Sequence, residues 1–126
     1  MAIIGIGIDI VEVSRIEALL SQHEERFLQR VFTPAEQLHS ADRKSRPLHL
    51  AARFAAKEAA MKALGTGLAS GISWQDVEVV PLPTGAPKLA LHAKALERSI
   101  AIGAKNWTIS LTHTESYAAA VVIADA

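Results

Sequence analysis

Apolar and small or polar residues alternate at the start of the chain, and the alternation predicts a β-strand over residues 3–13. Ile4, Ile6, Ile8 and Ile10 fall on one face, and Gly5, Gly7, Asp9 and Val11 on the other. The isoleucine face is expected to be core. The glycine face is nearly bare around Asp9, so another backbone or a ligand can approach it closely. The period then becomes helical. Ser14-Arg15-Ile16-Glu17 reads as a capping box, followed by an apolar face of Ile16, Leu20, Phe27 and Val31. Thr33-Pro34-Ala35-Glu36 starts a second, short helix with Thr33 as its cap. Arg43 to Pro47 is a basic turn. Residues 48–64 are rich in strong helix formers, and Gly65 is placed to end that helix in a left-handed cap. Residues 76–82 and 88–91 read as strands around a Pro83-Thr84-Gly85-Ala86-Pro87 turn, and 93–102 as a helix. Residues 107–112 and 117–123 read as a hairpin closed by His113-Thr114-Glu115-Ser116. Strands and helices do not alternate regularly. The expected class is α+β, a single domain over residues 1–126 with an antiparallel-rich sheet packed on a long buried helix.

The long helix carries the sharpest chemical signal. Leu50, Phe54 and Met61 form one apolar stripe, and Leu48, Ala52, Ala55, Ala59 and Ala63 a second. Glu58 and Lys62 share the narrow ridge between them. One reading is a plain ion pair at the favoured spacing. The other is a metal ligand or general base beside a phosphate-seeking lysine. Asp9 interrupts an uncharged run, either to cap a nearby loop or to converge with Glu58. Two carboxylates without a soft ligand suit a hard cation, magnesium in particular. Gly5-Ile6-Gly7 and Gly65-Thr66-Gly67 both lack the third glycine and the strand-to-helix setting of a dinucleotide fingerprint. The second of them either offers amides to a phosphate or is a simple helix cap. On the first helix, Arg15, Leu19, Gln22, Arg26 and Arg30 fall in a band about 80° wide. That band is either a solvated face or a docking surface for an acidic partner.

Composition narrows the classes. The 126 residues are 50% hydrophobic, with thirteen basic and thirteen acidic side chains and no cysteine. A chain this apolar and neutral is expected to fold. Its charge balance disfavours a nucleic-acid binder. Disulfides, thiolate metal sites and cysteine nucleophiles are excluded. No apolar run approaches the roughly 20 residues of a membrane span. The opening segment carries Asp9 and no basic leader, unlike a secretory signal, so a cytoplasmic protein is expected. The five histidines show no metal-binding spacing. His23, His39, His49 and His92 are expected to be surface or packing residues.

Together these segments resemble a known family. Gly5-Ile6-Gly7-Ile8-Asp9-Ile10-Val11-Glu12, with Arg15-Ile16 after it, resembles the opening motif of bacterial holo-[acyl-carrier-protein] synthases, the short 4'-phosphopantetheinyl transferases. Arg53-Phe54-Ala55-Ala56-Lys57-Glu58-Ala59-Ala60-Met61-Lys62, continuing through Gly67, resembles their second signature. The Gly85-x-Pro87 turn and the Ser110 to Thr114 segment match as well. The resemblance implies transfer of the phosphopantetheine arm of coenzyme A to a serine of apo-acyl carrier protein, in support of fatty acid biosynthesis. It implies magnesium at Asp9 and Glu58, with Lys62 beside the leaving phosphate. The base is left open between Glu58, Asp9 and a water. Arg43, Lys44, Arg46, Arg53 and Lys57 become candidates for the coenzyme A phosphates. Gly65, Thr66 and Gly67 become amide donors, and Pro87, Thr112 and His113 nucleotide-pocket residues. Arg15, Leu19, Gln22, Arg26, Phe27 and Arg30 become the carrier-protein surface. A homotrimer with its site between subunits is implied too.

Overall fold

The opening strand, β1 (Ile3–Glu12), lies along the long central helix, α3 (Arg46–Leu64), in a computed structural model that describes residues 2–126. Between them come α1 (Val13–Val31) and α2 (Pro34–Ala41). After α3 a short 3-10 turn (Trp74–Asp76) leads into the hairpin β2 (Val77–Pro81) and β3 (Pro87–Leu91). Then follow α4 (Ala93–Ala101), β4 (Asn106–His113) and β5 (Tyr117–Asp125). β1, β5 and β4 form one antiparallel sheet in that order, and β2–β3 a second antiparallel pair. The α+β class and the buried central helix are as expected.

The face of β1 that meets the core is the reverse of the expected one. Gly7 and Val11 are buried, whereas Ile6, Ile8 and Ile10 are 61%, 68% and 66% exposed. The reason is the distance between strand and helix. A Cβ on Gly5 would collide with the Ala63 carbonyl, and one on Gly7 with the Ala59 carbonyl. The neighbouring strand offers Ala118, Ala120, Val122 and Ala124 to the same side, all buried. Small residues on both partners let the backbones touch, and the isoleucines are left on the open side of the sheet.

Other local expectations divide. Thr33 caps α2 reciprocally: its hydroxyl accepts from the Glu36 amide at 3.2 Å, and Glu36 Oε1 accepts from the Thr33 amide at 2.8 Å. Gly65 ends α3 at φ 80°. The capping box at Ser14 does not form. Helix α1 runs directly out of β1 with Glu12 at its cap, and Ser14 lies inside the first turn. The Val13 amide is bonded to Ser116 O at 2.9 Å instead. Helix α1 also breaks its regular twist at His23, where φ is −145° and ψ is 43°.

Candidate active site

Close packing of β1 on α3 brings Asp9 against the polar ridge of the helix. Lys62 Nζ donates to Asp9 Oδ1 at 3.1 Å and to Ile8 O at 2.9 Å. The plain Glu58–Lys62 ion pair is therefore not made. Asp9 faces the helix and does not cap a loop; its Oδ2 is buried without a hydrogen-bond partner. Burial raises the Glu58 carboxyl above its ordinary range, and the Asp9 charge adds to the shift; Arg15 and Lys62 oppose it. Two carboxylates thus repel one another at the rim of the core, with one ammonium between β1 and α3.

An orphaned buried oxygen beside a second carboxylate fits a hard divalent ion. No cluster of three or more His, Cys, Asp or Glu forms among the described residues. That donor count suits magnesium, which takes one or two carboxylates and fills its remaining positions with water and phosphate oxygens. Asp9 and Glu58 are the residues that would hold it.

Glu58 and Lys62 open onto a cavity of about 400 Å³ that also touches Arg15 and Gly67. A second cavity, of about 310 Å³, continues from it past Leu19, Arg26 and Arg30. Phe54, Leu68 and Trp74 line both, so the two form one groove. Its floor is stiff: Phe54 stacks on Trp74 with centroids 4.9 Å apart, and the Arg15 guanidinium lies 5.3 Å from the Phe54 ring centroid. Phe27 is 7% exposed and packs edge-on against Phe32. It is a core residue lining the groove, not a projecting contact. Gln22 is exposed but lies outside the groove lining.

The structure corrects the assignment of Lys57 to phosphate. Its ammonium is 0% exposed, 2.7 Å from Glu36 Oε1 and bonded to Val77 O and Trp74 O. It points away from the groove into the packing between α2, α3 and β2. Arg43 and Arg53 do gather around His39 and His49, two histidines expected from sequence to be surface or packing residues, while Arg46 lies one turn before His49 on α3. Arg43 Nη2 is 3.1 Å from His39 Nε2, and the two imidazole centroids are 5.1 Å apart. Burial, then Arg53 and Arg43, hold His49 down at about 3, so it is neutral at physiological pH. His49 Nε2 and Arg46 Nε are buried without partners. Glu24 pairs with Arg46 at 3.3 Å. Burial and Arg43 lower the Arg53 guanidinium, while Glu36 opposes them. This is a cationic cluster with donors to spare. Its sequence signal is helical spacing: Arg46, His49 and Arg53 lie three and four residues apart, on one side of α3.

The remaining assignments fall in different places. Gly67, at φ 57°, lines the groove, and the Thr66 hydroxyl turns back to Gly67 O at 3.3 Å. Lys44 is exposed in the turn before α3. Pro87 begins β3, and Thr112 and His113 end β4, both of these exposed. None of these three lines the groove of its own chain.

The 4'-phosphopantetheinyl transferase superfamily profile matches residues 5–122. A holo-[acyl-carrier-protein] synthase of Maridesulfovibrio salexigens is 50% identical over 121 residues, 96% of this chain and 97% of the relative. The crystal structure of the Helicobacter pylori holo-[acyl-carrier-protein] synthase in complex with coenzyme A superposes with a TM-score of 0.83 at 34% identity, covering 95% of this chain and 99% of that one. That of the Neisseria meningitidis synthase gives 0.89 at 32% identity, over 99% and 100%.

Proposed function

The chain belongs to the 4'-phosphopantetheinyl transferase superfamily, and from that premise we propose how its groove works. The reaction moves the 4'-phosphopantetheine arm of coenzyme A to a serine of apo-acyl carrier protein, giving holo-acyl carrier protein and adenosine 3',5'-bisphosphate. The observation that carries our residue assignment is the convergence of Asp9 with Glu58 and Lys62, the last two lining one end of an open groove.

The serine oxygen forms a bond to the β-phosphorus of coenzyme A as the bridging bond to the α-phosphate breaks. The bisphosphate leaves with the bridging oxygen. Glu58, whose carboxylate opens onto the groove, accepts the serine proton. Lys62 offsets charge on the leaving phosphate. Asp9 and Glu58 would hold magnesium, which would neutralise charge at the pyrophosphate. Arg43, Lys44, Arg46 and Arg53 take the adenine-ribose phosphates, while Gly65, Thr66 and Gly67 offer backbone amides to a phosphate at the far end of α3. Arg15, Arg26 and Arg30 steer the acidic carrier protein, with Leu19 and Phe27 as the apolar wall and Gln22 at the margin.

The active form in this proposal is a homotrimer. The open side of β1 presents Ile6, Ile8 and Ile10 beside Ile123, Val121 and Ala119 of β5, a continuous apolar face suited to a second copy of the chain. Pro87, Thr112 and His113, idle in their own chain, then belong to a neighbour's nucleotide pocket. No helix among the described residues is long and apolar enough to cross a membrane, and we assign the protein to the cytoplasm, in fatty acid biosynthesis.

The test is direct. Purified chain is mixed with coenzyme A and apo-acyl carrier protein, and adenosine 3',5'-bisphosphate is quantified chromatographically. One bisphosphate released per carrier protein converted is the expected result. Binding of both substrates without release would make the protein a coenzyme A or carrier-protein binding module.

A further inference from the structure

Lys62 stands where a cation is wanted. Its ammonium is bonded to Asp9 Oδ1 and to Ile8 O, both on β1. The two partners differ in accessibility: the Lys62 side chain is 55% exposed and that of Asp9 13%. The lysine tip therefore reaches in from solvent, and its flexible stem lets it leave by the same route. Lys62 also lines two openings, the groove shared with Glu58 and a smaller cavity bordered by Ile8, Asp9 and Ile10. Asp9 Oδ2 is left without a donor, so the ammonium satisfies only part of the site.

We propose that Lys62 is a resident counter-ion, seated on Asp9 until a divalent ion displaces it and frees its ammonium to turn into the groove. The inference rests on the assignment of Asp9 and Glu58 as metal ligands and adds an order to it. Lys62 holds Oδ1 and leaves Oδ2 free, so a divalent ion entering at Oδ2 meets the ammonium across one carboxylate, and repulsion between the two cations drives the ammonium off. The displaced lysine then keeps only the neutral Ile8 carbonyl on β1, and its charge turns to a phosphate in the groove. Ion binding and presentation of the phosphate-seeking lysine are thereby one event. In the metal-free protein the same pairing prevents two facing carboxylates from being left without a counter-charge.

The experiment measures Mn2+ binding to the whole chain by the loss of the free-ion electron paramagnetic resonance signal, without substrates. Lys62→Met keeps the stem and removes the competitor. It is expected to bind Mn2+ about three- to tenfold more tightly than the unaltered chain, with Lys62→Arg no tighter than the parent. A second readout needs no variant. Amine-reactive labelling of Lys62, read by peptide mass, should speed up severalfold when Mg2+ saturates the protein. Equal Mn2+ affinities for parent and Lys62→Met, or a labelling rate unmoved by Mg2+, overturn the exchange while leaving the metal site standing. Failure of the parent and of Lys62→Met alike to bind Mn2+ removes both.

Discussion

Replacing Lys57 with Met separates a buried structural lysine from a phosphate-binding one. The ammonium is fully enclosed, 2.7 Å from Glu36 Oε1 and 2.6 Å from Val77 O. Burial lowers its pKa, and Glu36 opposes the shift. Glu36 is 1% exposed in its side chain and otherwise accepts from the Thr33 and Val79 amides. Methionine refills most of the volume but leaves that carboxylate buried beside two carbonyls that have lost a donor. Breaking a buried pair on one side costs about 3–5 kcal/mol. That is a large share of the 5–15 kcal/mol typical of a domain. For a chain of this length it corresponds to a fall in Tm of about 10–20 °C. Removing both charges, as Lys57→Met with Glu36→Gln, should recover much of the loss, because the neutral amide leaves no buried charge and keeps an acceptor for the buried backbone amides that Glu36 serves. The assay is urea unfolding at fixed protein concentration, with coenzyme A affinity measured by calorimetry on the folded variants. Stability should fall in the single variant and return in the double, with affinity little changed throughout. Unaltered stability together with lost coenzyme A binding would return Lys57 to the phosphates and overturn the assignment.

Four further outcomes follow from the same geometry. Gly7→Ala drives a methyl group into the Ala59 carbonyl; it should cost about 1–3 kcal/mol in chemical unfolding and weaken Mn2+ binding by shifting Asp9 from Glu58. Glu58 has a pKa raised above 4.5 in the metal-free chain, so Mn2+ affinity should start to fall, as pH drops, already above 4.5. A raised carboxyl pKa also means that ionising Glu58 costs stability as pH rises through it, so metal-free Glu58→Gln should be more stable than the parent at neutral pH in a urea titration, while losing most of its rate. Arg26→Glu with Arg30→Glu should raise KM for carrier protein and flatten its dependence on salt, with coenzyme A affinity unmoved.

Much of the fold is legible because local and global preferences agree. Thr33 with Glu36, the Gly65 cap and the Pro83–Pro87 turn each specify one conformation. The isoleucine face fails because hydrophobicity assigns the larger side chains to the interior. At β1 the deciding quantity is the gap to α3, which admits hydrogen and not methyl at Gly5 and Gly7. The bare face around Asp9 was the readable sign of that contact, though not of its partner. Lys57 is ambiguous for a related reason. Helix α3 is buried around most of its circumference, and residues one apart point about 100° from each other. Glu58 on the groove therefore implies Lys57 elsewhere, but only the placement of Glu36 on α2 shows that this elsewhere holds a carboxylate. His39 joins the arginine cluster through a contact between α2 and α3 that no local spacing encodes.

The central claim is that Asp9 and Glu58 act together on one divalent ion at the coenzyme A pyrophosphate. Its most direct measurement is the intact mass of apo-acyl carrier protein after incubation with coenzyme A and the parent chain, Asp9→Asn or Glu58→Gln, each with Mg2+ and with chelator. The account predicts a gain of one phosphopantetheine arm with the parent and Mg2+ alone, and none in the other five mixtures. An undiminished gain with either variant, or with chelator present, would leave the pair without a role in the transfer.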